Sequence, residues 1–389
     1  MEDFYEKACL CTLNKAFGFK PAIALALLSH IGSAGELFRM SAKDKETMIG
    51  NYPKEASLIS ARILDETMRE LERLDKTGVR FVGWSEQAYP QLLKECEDAP
   101  VGLYIRSSTP VQDLFGECSR NIAVIGTRDI SPYGQEWCAR IVEGMASVPA
   151  KPLVISGLAL GTDICAHRNA LRNGLPTIAV MATGTDEIYP MRHRKDAEAI
   201  AGSPGCALIT DYPPGTKALP IHFLRRNRII AGLSKATILI ESKIKGGGMM
   251  TSRLAFSYNR EVYALPGRID DPCSQGCNKL IKSKIAEPII SVGDLLESIG
   301  LGKATCSSKP TLHDALQKTY GNDGMKDRIG MMSTILLTIR NNRGISVEEL
   351  AAVCGFSYSV TSELAVMLET DGFISIDIMQ RCSILTERI

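Results

Sequence analysis

Between residues 79 and 267 the chain repeats one pattern: a short apolar run, a loop with Gly, Ser, Thr or Asp, and a helical stretch. "NIAVIG" leads into "GQEWCARIVEGMA", "PLVISG" into "DICAHRNALRNG" and "PTIAVMATG" into "MRHRKDAEAIAG". "CALITDYPPG", "ATILIES" and "EVYALPG" continue the series. Upstream, "GVRFVGW" and "VGLYIR" read as two more strands, separated by "YPQLL", a turn that enters a helix. Strands that are apolar throughout are buried on both faces, which is the condition of a parallel sheet covered by helices. The pattern predicts an α/β fold with a mainly parallel sheet over residues 76–300. Ligands of such sheets bind beyond the carboxyl ends of the strands.

The flanks differ. Residues 1–75 read as a helical module. "PAIALALLSHIGSAGELFRM" sets Ile23, Leu27, Leu28 and Ile31 at helical spacing and turns at Gly32, and a second helix runs through "SLISARILDETMRELERL". Residues 301–327 are mixed and polar and read as a linker. Over 328–389, "MMSTILLTIRNN", "SVEELAAVCG" and "SYSVTSELAVMLETDG" predict three amphipathic helices and "FISIDIMQRCSIL" a short hairpin, the order of a winged helix. The third helix, Ser357–Thr370, carries Glu363 and Glu369 and no Lys or Arg. A DNA groove repels such a helix, so the module is expected to contact protein or another copy of the chain.

The net charge is only +1. A nucleic-acid site must therefore come from local clustering of cations. No apolar run approaches membrane-spanning length, and the acidic start "MEDFYEKACLCTLNK" has no signal-peptide core, so a cytoplasmic protein with no membrane contact is expected. Twelve cysteines without a compact framework read as free thiols in a reducing compartment. Cys9 with Cys11 and Cys273 with Cys277 lack a second pair at zinc spacing, so no metal is expected.

Four motifs carry the functional reading. In "NIAVIGTRDISPYG", Gly126 permits a tight turn whose amides face one oxyanion, Thr127 and Arg128 follow, and Ser131 precedes a helix. Arg128 either grips a phosphate in bidentate fashion or bridges to Asp129. In "ISGLALGTDICAHRNAL", Gly157 ends a strand and Thr162 or Asp163 caps a helix; Asp163 and His167 are either an acid–base pair or a helix-stabilising pair. In "HFLRRNRIIAGLS", Arg225, Arg226 and Arg228 crowd beside Phe223, just after Lys217. Cations interleaved with an aromatic suit single-stranded nucleic acid; the alternative is a solvated helix start with its arginines paired to acids. In "ESKIKGGGMMTSRLAFSYNREVYALPG", Gly246, Gly247 and Gly248 precede Thr251 and read as a phosphate cradle. Neither the P-loop order nor the dinucleotide fingerprint is present, so neither ATP nor NAD is expected as a cofactor.

These blocks, with "GTDEIYP" and "SQGCNKLI", occur in one ordered set that resembles the DNA-processing protein A family, DprA/Smf, over roughly residues 76–295. The resemblance implies an extended Rossmann-like domain that binds single-stranded DNA, flanked by a SAM-like helical module and a winged helix. It further implies a homodimer formed through that domain, protection of incoming strands during natural transformation, loading of the RecA recombinase, and no catalysed reaction. By the same resemblance Gly126 and Arg128 match the G-[ST]-R block, with the arginine on backbone phosphate. Arg226, Asn227 and Arg228 match R-N-R, and Asn278 matches the asparagine of S-x-G-x-N. The family proline is Leu224 here, and Pro220 stands where a lysine is frequent, leaving Lys217 as the nearest cation. The rival expectation is an enzyme that cleaves the N-glycosidic bond of a nucleotide monophosphate, for which Asp163 and Glu241 are the candidate carboxylates.

Overall fold

The computed structural model describes residues 2–115, 120–302, 316–317, 319–321, 326–342, 344–377 and 379–385. The chain divides into two compact units, Met1–Thr305 and Cys306–Ile389. The linker expectation falls mostly on 303–315, 318 and 322–325, outside the described residues.

The first unit opens with α1 (Glu2–Phe17), α2 (Pro21–Ile31), α3 (Ala34–Arg39), α4 (Ala42–Ile49), α5 (Pro53–Leu58) and α6 (Ala61–Lys76). Serine hydroxyls start three of these helices: Ser33, Ser41 and Ser60 accept from the amides of Glu36, Asp44 and Ile63. The stretch from Ser57 that reads as one helix is therefore two, because Ser60 sits in extended backbone and caps α6.

There follow β1 (Val79–Gly83), α7 (Gln91–Lys94), β2 (Gly102–Arg106), β3 (Asn121–Ile125), α8 (Pro132–Ala146), β4 (Leu153–Ser156), α9 (Thr162–Arg172) and β5 (Thr177–Val180). After these come α10 (Arg194–Gly202), β6 (Ala207–Thr210), α11 (Pro220–Leu233), β7 (Ala236–Leu239), α12 (Gly247–Ser257), β8 (Glu261–Ala264), α13 (Gln275–Lys282), β9 (Glu287–Pro288) and α14 (Val292–Ser298).

The nine strands form one sheet in the order β1-β2-β6-β5-β4-β3-β7-β8-β9. From β6 to β9 every pairing is parallel. β2 runs antiparallel to β6 and β1 antiparallel to β2, which adds a reversed edge to the parallel sheet. Period-two burial explains the apolar runs. On β3, Ile122 and Val124 pack with Cys138, Ile141 and Val142 of α8, while Ala123 and Ile125 pack with Ile229, Ile230 and Leu233 of α11.

The strand order fixes the place of a ligand site. From β3 the chain builds outward through β4, β5 and β6; α11 then carries it back to β7 on the other side of β3. The loops after β3 and β7 consequently diverge and leave a crevice at the carboxyl edge. The helical module packs against the β1–β2 edge of the sheet. Its core includes Phe81 of β1 and Tyr104 of β2, and the Cys11 thiol lies 3.1 Å from the Tyr104 hydroxyl. Asn14 stitches the seam: its amide donates to the Asp211 carbonyl at 2.7 Å, and its oxygen accepts from the Gly102 amide at 3.3 Å.

The second unit contains α15 (Lys326–Asn341), α16 (Val347–Cys354), α17 (Tyr358–Thr370) and the antiparallel hairpin β10 (Ile374–Ile376) and β11 (Cys382–Ile384). Ser346 and Glu349 form a capping box at the start of α16, and Gly355 closes it in the left-handed conformation at φ 70°. Met332, Ile335, Leu350, Leu364 and Phe373 are among its core residues. The acids of α17 are engaged: Glu363 pairs with Arg328 at 2.8 Å, and Glu369 accepts from the Ile376 amide at 2.9 Å. Among the described residues no single helix is long and apolar enough to cross a membrane.

Candidate functional site

The two diverging loops are held together before they part. Glu241, just beyond β7, is 1% exposed. Its carboxylate accepts from the Ser131 amide at 2.9 Å and the Ser131 hydroxyl at 2.5 Å. The Ser131 oxygen in turn accepts from the Gly134 amide at 3.1 Å and caps α8. A buried carboxylate is tolerated here because it has strong donors and lies at a helix N-terminus. A side chain at Gly134 would strike that carboxylate. The loops then touch glycine to glycine: a Cβ on Gly248 would stand 3.5 Å from the Gly126 Cα and 2.6 Å from the Leu239 Cδ1, and one on Gly126 would enter the Thr162 side chain. Gly126, pressed against Thr162 and the Glu241 carbonyl, has no room for a side chain.

Above these glycines lies a cavity of about 530 Å³. Its lining includes Gly126, Thr127, Arg128, Asp129, Asp163, Phe223, Arg226, Asn227, Lys243, Lys245, Gly247, Gly248 and Thr251. Four cations face two carboxylates, so the cavity attracts anions. Arg128 is exposed, and its guanidinium carbon stands 5.1 Å over the Phe223 ring. Arg226 is 4% exposed; it donates to the Val180 carbonyl and, through Nε, to the Asn227 side-chain oxygen at 3.3 Å. Burial holds the Asp163 carboxyl above the usual carboxylate range, and the Arg226 charge opposes that rise. The Gly246 N-cap of α12 has no side-chain acceptor, which leaves the first amides of the helix beside the cavity without a side-chain cap.

Nine of the sequence-predicted residues thus come together: Gly126, Thr127, Arg128, Phe223, Arg226, Asn227, Gly247, Gly248 and Thr251. Six take other positions. Ser131 is the cap just described. Gly157 leaves room for neighbours, since a side chain there would strike Asp163 and the Arg226 guanidinium. Lys217 is exposed, and its carbonyl accepts from His222 Nδ1 at 3.1 Å. Arg225 donates to the Gly18 carbonyl and lies 3.9 Å over the Phe19 ring, in the helical module. Arg228 donates to the Asp98 carbonyl and makes a buried ion pair with Asp211 at 2.5 Å. Asn278 brackets Gly267, accepting from its amide at 3.3 Å and donating to its carbonyl at 3.0 Å.

The start of α9 differs from its expectation. Gly161, at φ 74°, is the N-cap, and Thr162 and Asp163 are already helical. The Thr162 amide and hydroxyl both donate to the Thr127 carbonyl, at 3.0 and 3.3 Å, so this helix start holds the arginine loop in place. Asp163 and His167 do not pair. His167 donates through Nε2 to the Gly157 carbonyl at 2.5 Å, and its Nδ1 lies 2.8 Å from the Thr177 hydroxyl. Burial, with the Arg226 charge adding to it, lowers the His167 pKa to about 4, so the ring is a neutral core group. Lys243 and Lys245 were missed as site residues. Their signal was a Lys-x-Lys directly ahead of three glycines at a helix start.

The model of the family described as DNA recombination-mediator protein A matches residues 80–300. Protein Smf of Synechocystis is 35% identical over 300 residues, covering 76% of this chain and 73% of the relative. DNA processing protein DprA of Streptococcus pneumoniae is 32% identical over 243 residues, covering 61% and 83%. The X-ray structure of the Streptococcus pneumoniae protein superposes with a TM-score of 0.62 at 30% identity over 76% of this chain and 97% of that one. A structure of DNA processing protein A from Helicobacter pylori, described for its single-stranded DNA binding mode, gives a TM-score of 0.50 at 27% identity, covering 57% and 95%.

Two outcomes follow from this geometry. Arg228→Ala leaves the Asp211 charge buried without its partner and is expected to cost about 3–5 kcal/mol in urea unfolding; a loss below about 1 kcal/mol would show that water already screens the pair. His167 has a folded pKa of about 4, below its unfolded value near 6.5, so its stabilisation is present above that value and is lost as pH falls. The stability difference between the native chain and His167→Gln is expected to shrink by roughly 3 kcal/mol from pH 7 to pH 4. A pH-independent difference would mean that the ring charges freely in the folded state.

Proposed function

The chain belongs to the DNA recombination-mediator protein A family, and from that membership we propose that it binds and protects single-stranded DNA without sequence preference and without reacting with it. The observation that carries this reading is the convergence of Arg128, Arg226, Asn227 and the α12 start at Gly247 and Gly248 on one cavity at the sheet's switch point, with Phe223 under Arg128. Cations and amides contact phosphate, which is the same in every sequence, while an aromatic face accepts any base. Gly126, Thr127, Thr251, Lys243 and Lys245 complete the contact set in this proposal. Ser131, Gly157, Arg225, Arg228 and Asn278 support it as positioning residues, and Lys217 lies outside the cavity lining as an exposed cation. The Helicobacter pylori relative described for single-stranded DNA binding supports the same reading.

The finer proposals follow from the family. The chain acts in the cytoplasm as a homodimer formed through the sheet domain, and loads the RecA recombinase onto incoming strands in natural transformation. Its parts are a SAM-like module at 1–75, the DNA-binding domain at 76–300, a linker at 301–327 and a winged helix at 328–389. The lack of any Lys or Arg on α17 supports a role for the last part in contacting protein rather than duplex.

A second reading rests on Asp163, whose buried carboxyl lines the same cavity: hydrolysis of a nucleotide monophosphate at its N-glycosidic bond. Glu241, the other candidate acid, already spends its carboxylate on Ser131.

Arg128→Ala is expected to weaken binding equally for strands of any sequence. It should also lower the slope of log affinity against log salt by about 0.7, the value for one lost phosphate contact on a single strand. Unchanged affinity and slope would remove Arg128 from the interface. Incubation with mononucleotides is expected to release no free base; release that disappears in Asp163→Asn would establish the hydrolytic reading instead.

A further inference from the structure

The motif "GTDEIYP" at residues 184–190 has no part in the cavity lining, yet its loop is held rigidly beside it. Both carboxylate oxygens of Asp186 accept from the Gly215 amide at 2.9 Å. The Thr183 hydroxyl donates to the Glu187 carbonyl at 2.6 Å, and the Gly184 amide donates to the Thr216 carbonyl at 3.0 Å. This bracing presents Tyr189 to solvent, 49% exposed, with its ring centroid 5.4 Å from that of Phe223 at an interplanar angle of 64°. Phe223 is the ring beneath Arg128. Three residues on, Arg192 is exposed and has no acidic partner among the described residues, whereas nearby Arg168 and Arg194 are tied to Asp196 and Glu198. Arg128, Phe223 and Tyr189 are therefore in contact in series beside the cavity, and a free arginine follows three residues along the chain.

We propose that Tyr189 and Arg192 form a second nucleotide subsite, in which the tyrosine ring stacks on a base and the guanidinium neutralises the adjoining phosphate. The subsite rests on the single-strand reading and extends it by giving the strand a direction of exit. The 64° between the two rings means that bases stacked on Phe223 and Tyr189 cannot be coplanar, so the strand turns as it leaves the cavity. A ring held by a braced loop loses little conformational freedom on binding, which suits it to sequence-tolerant stacking.

The test titrates the full chain with labelled oligothymidylates of ~4 and ~16 nucleotides, spanning the range of single-strand site sizes. Tyr189→Ala is expected to lose about tenfold in affinity for the longer strand and less than about twofold for the shorter, with Tyr189→Phe retaining both. Arg192→Ala should lower the salt slope by about 0.7 on the longer strand alone. Alanine variants that bind both strands as the native chain does overturn the subsite and leave the Arg128 interface standing. Equal losses on both lengths also overturn it, because Tyr189 would then act only by supporting Phe223. A native chain that binds neither strand overturns the single-strand reading together with the subsite.

Discussion

The carboxylate of Glu241 is the tie on which the site depends. It joins the ends of two parallel strands that the chain visits far apart in sequence, β3 and β7, by accepting from the backbone and side chain of Ser131. The Ser131 oxygen caps α8 at the same time, so one buried acid fixes a helix start, a loop and the spacing of the crevice. With that spacing set, Gly126, Gly248 and the α12 start share one cavity with the arginine loop. Removing one partner would leave a buried group unsatisfied, which is the costly direction for such networks.

A second constraint is the division of labour on α11. Its neighbouring arginines reach different regions: Arg225 goes to Gly18 and Phe19 of the helical module, Arg226 to the cavity, and Arg228 to Asp211 and Asp98. Asn14 adds a further stitch from the module to the strand end at Asp211. The helical module is thus fastened to the same helix and strand that position the cavity's buried cation, and its docking and the site's geometry share supports.

Much of the architecture was legible because burial on both faces writes itself as unbroken apolar runs, and strand ends as glycine-rich loops. Direction was less legible. β1 and β2 read as strands, but nothing in their side-chain pattern distinguishes an antiparallel edge from a parallel one. Caps misled where backbone competed with side chain: Thr162 and Asp163 are good capping residues, yet Gly161 takes the cap because the turn there needs a positive φ. The arginine run was legible as a cluster and illegible as a site, since about 100° of helical rotation per residue sends adjacent side chains apart. His167 sits at the right spacing for Asp163, but its partners, Gly157 and Thr177, are ten residues away on either side. Lys243 and Lys245 line the cavity only because the sheet order brings the loop after β7 beside the loop after β3.

The three-way attachment of α11 has a bearing on how such a chain can drift over generations. Its arginines behave like the wards of a key, each cut to a different depth and angle. Adding or deleting a single position ahead of Arg225 would turn every ward by about 100° and present each guanidinium to the wrong tumbler. Point changes at exposed positions such as Ile221 can accumulate, but the helix's length and phase are frozen together, so the segment from Pro220 to Leu233 should be where descendants of this gene refuse new spacing.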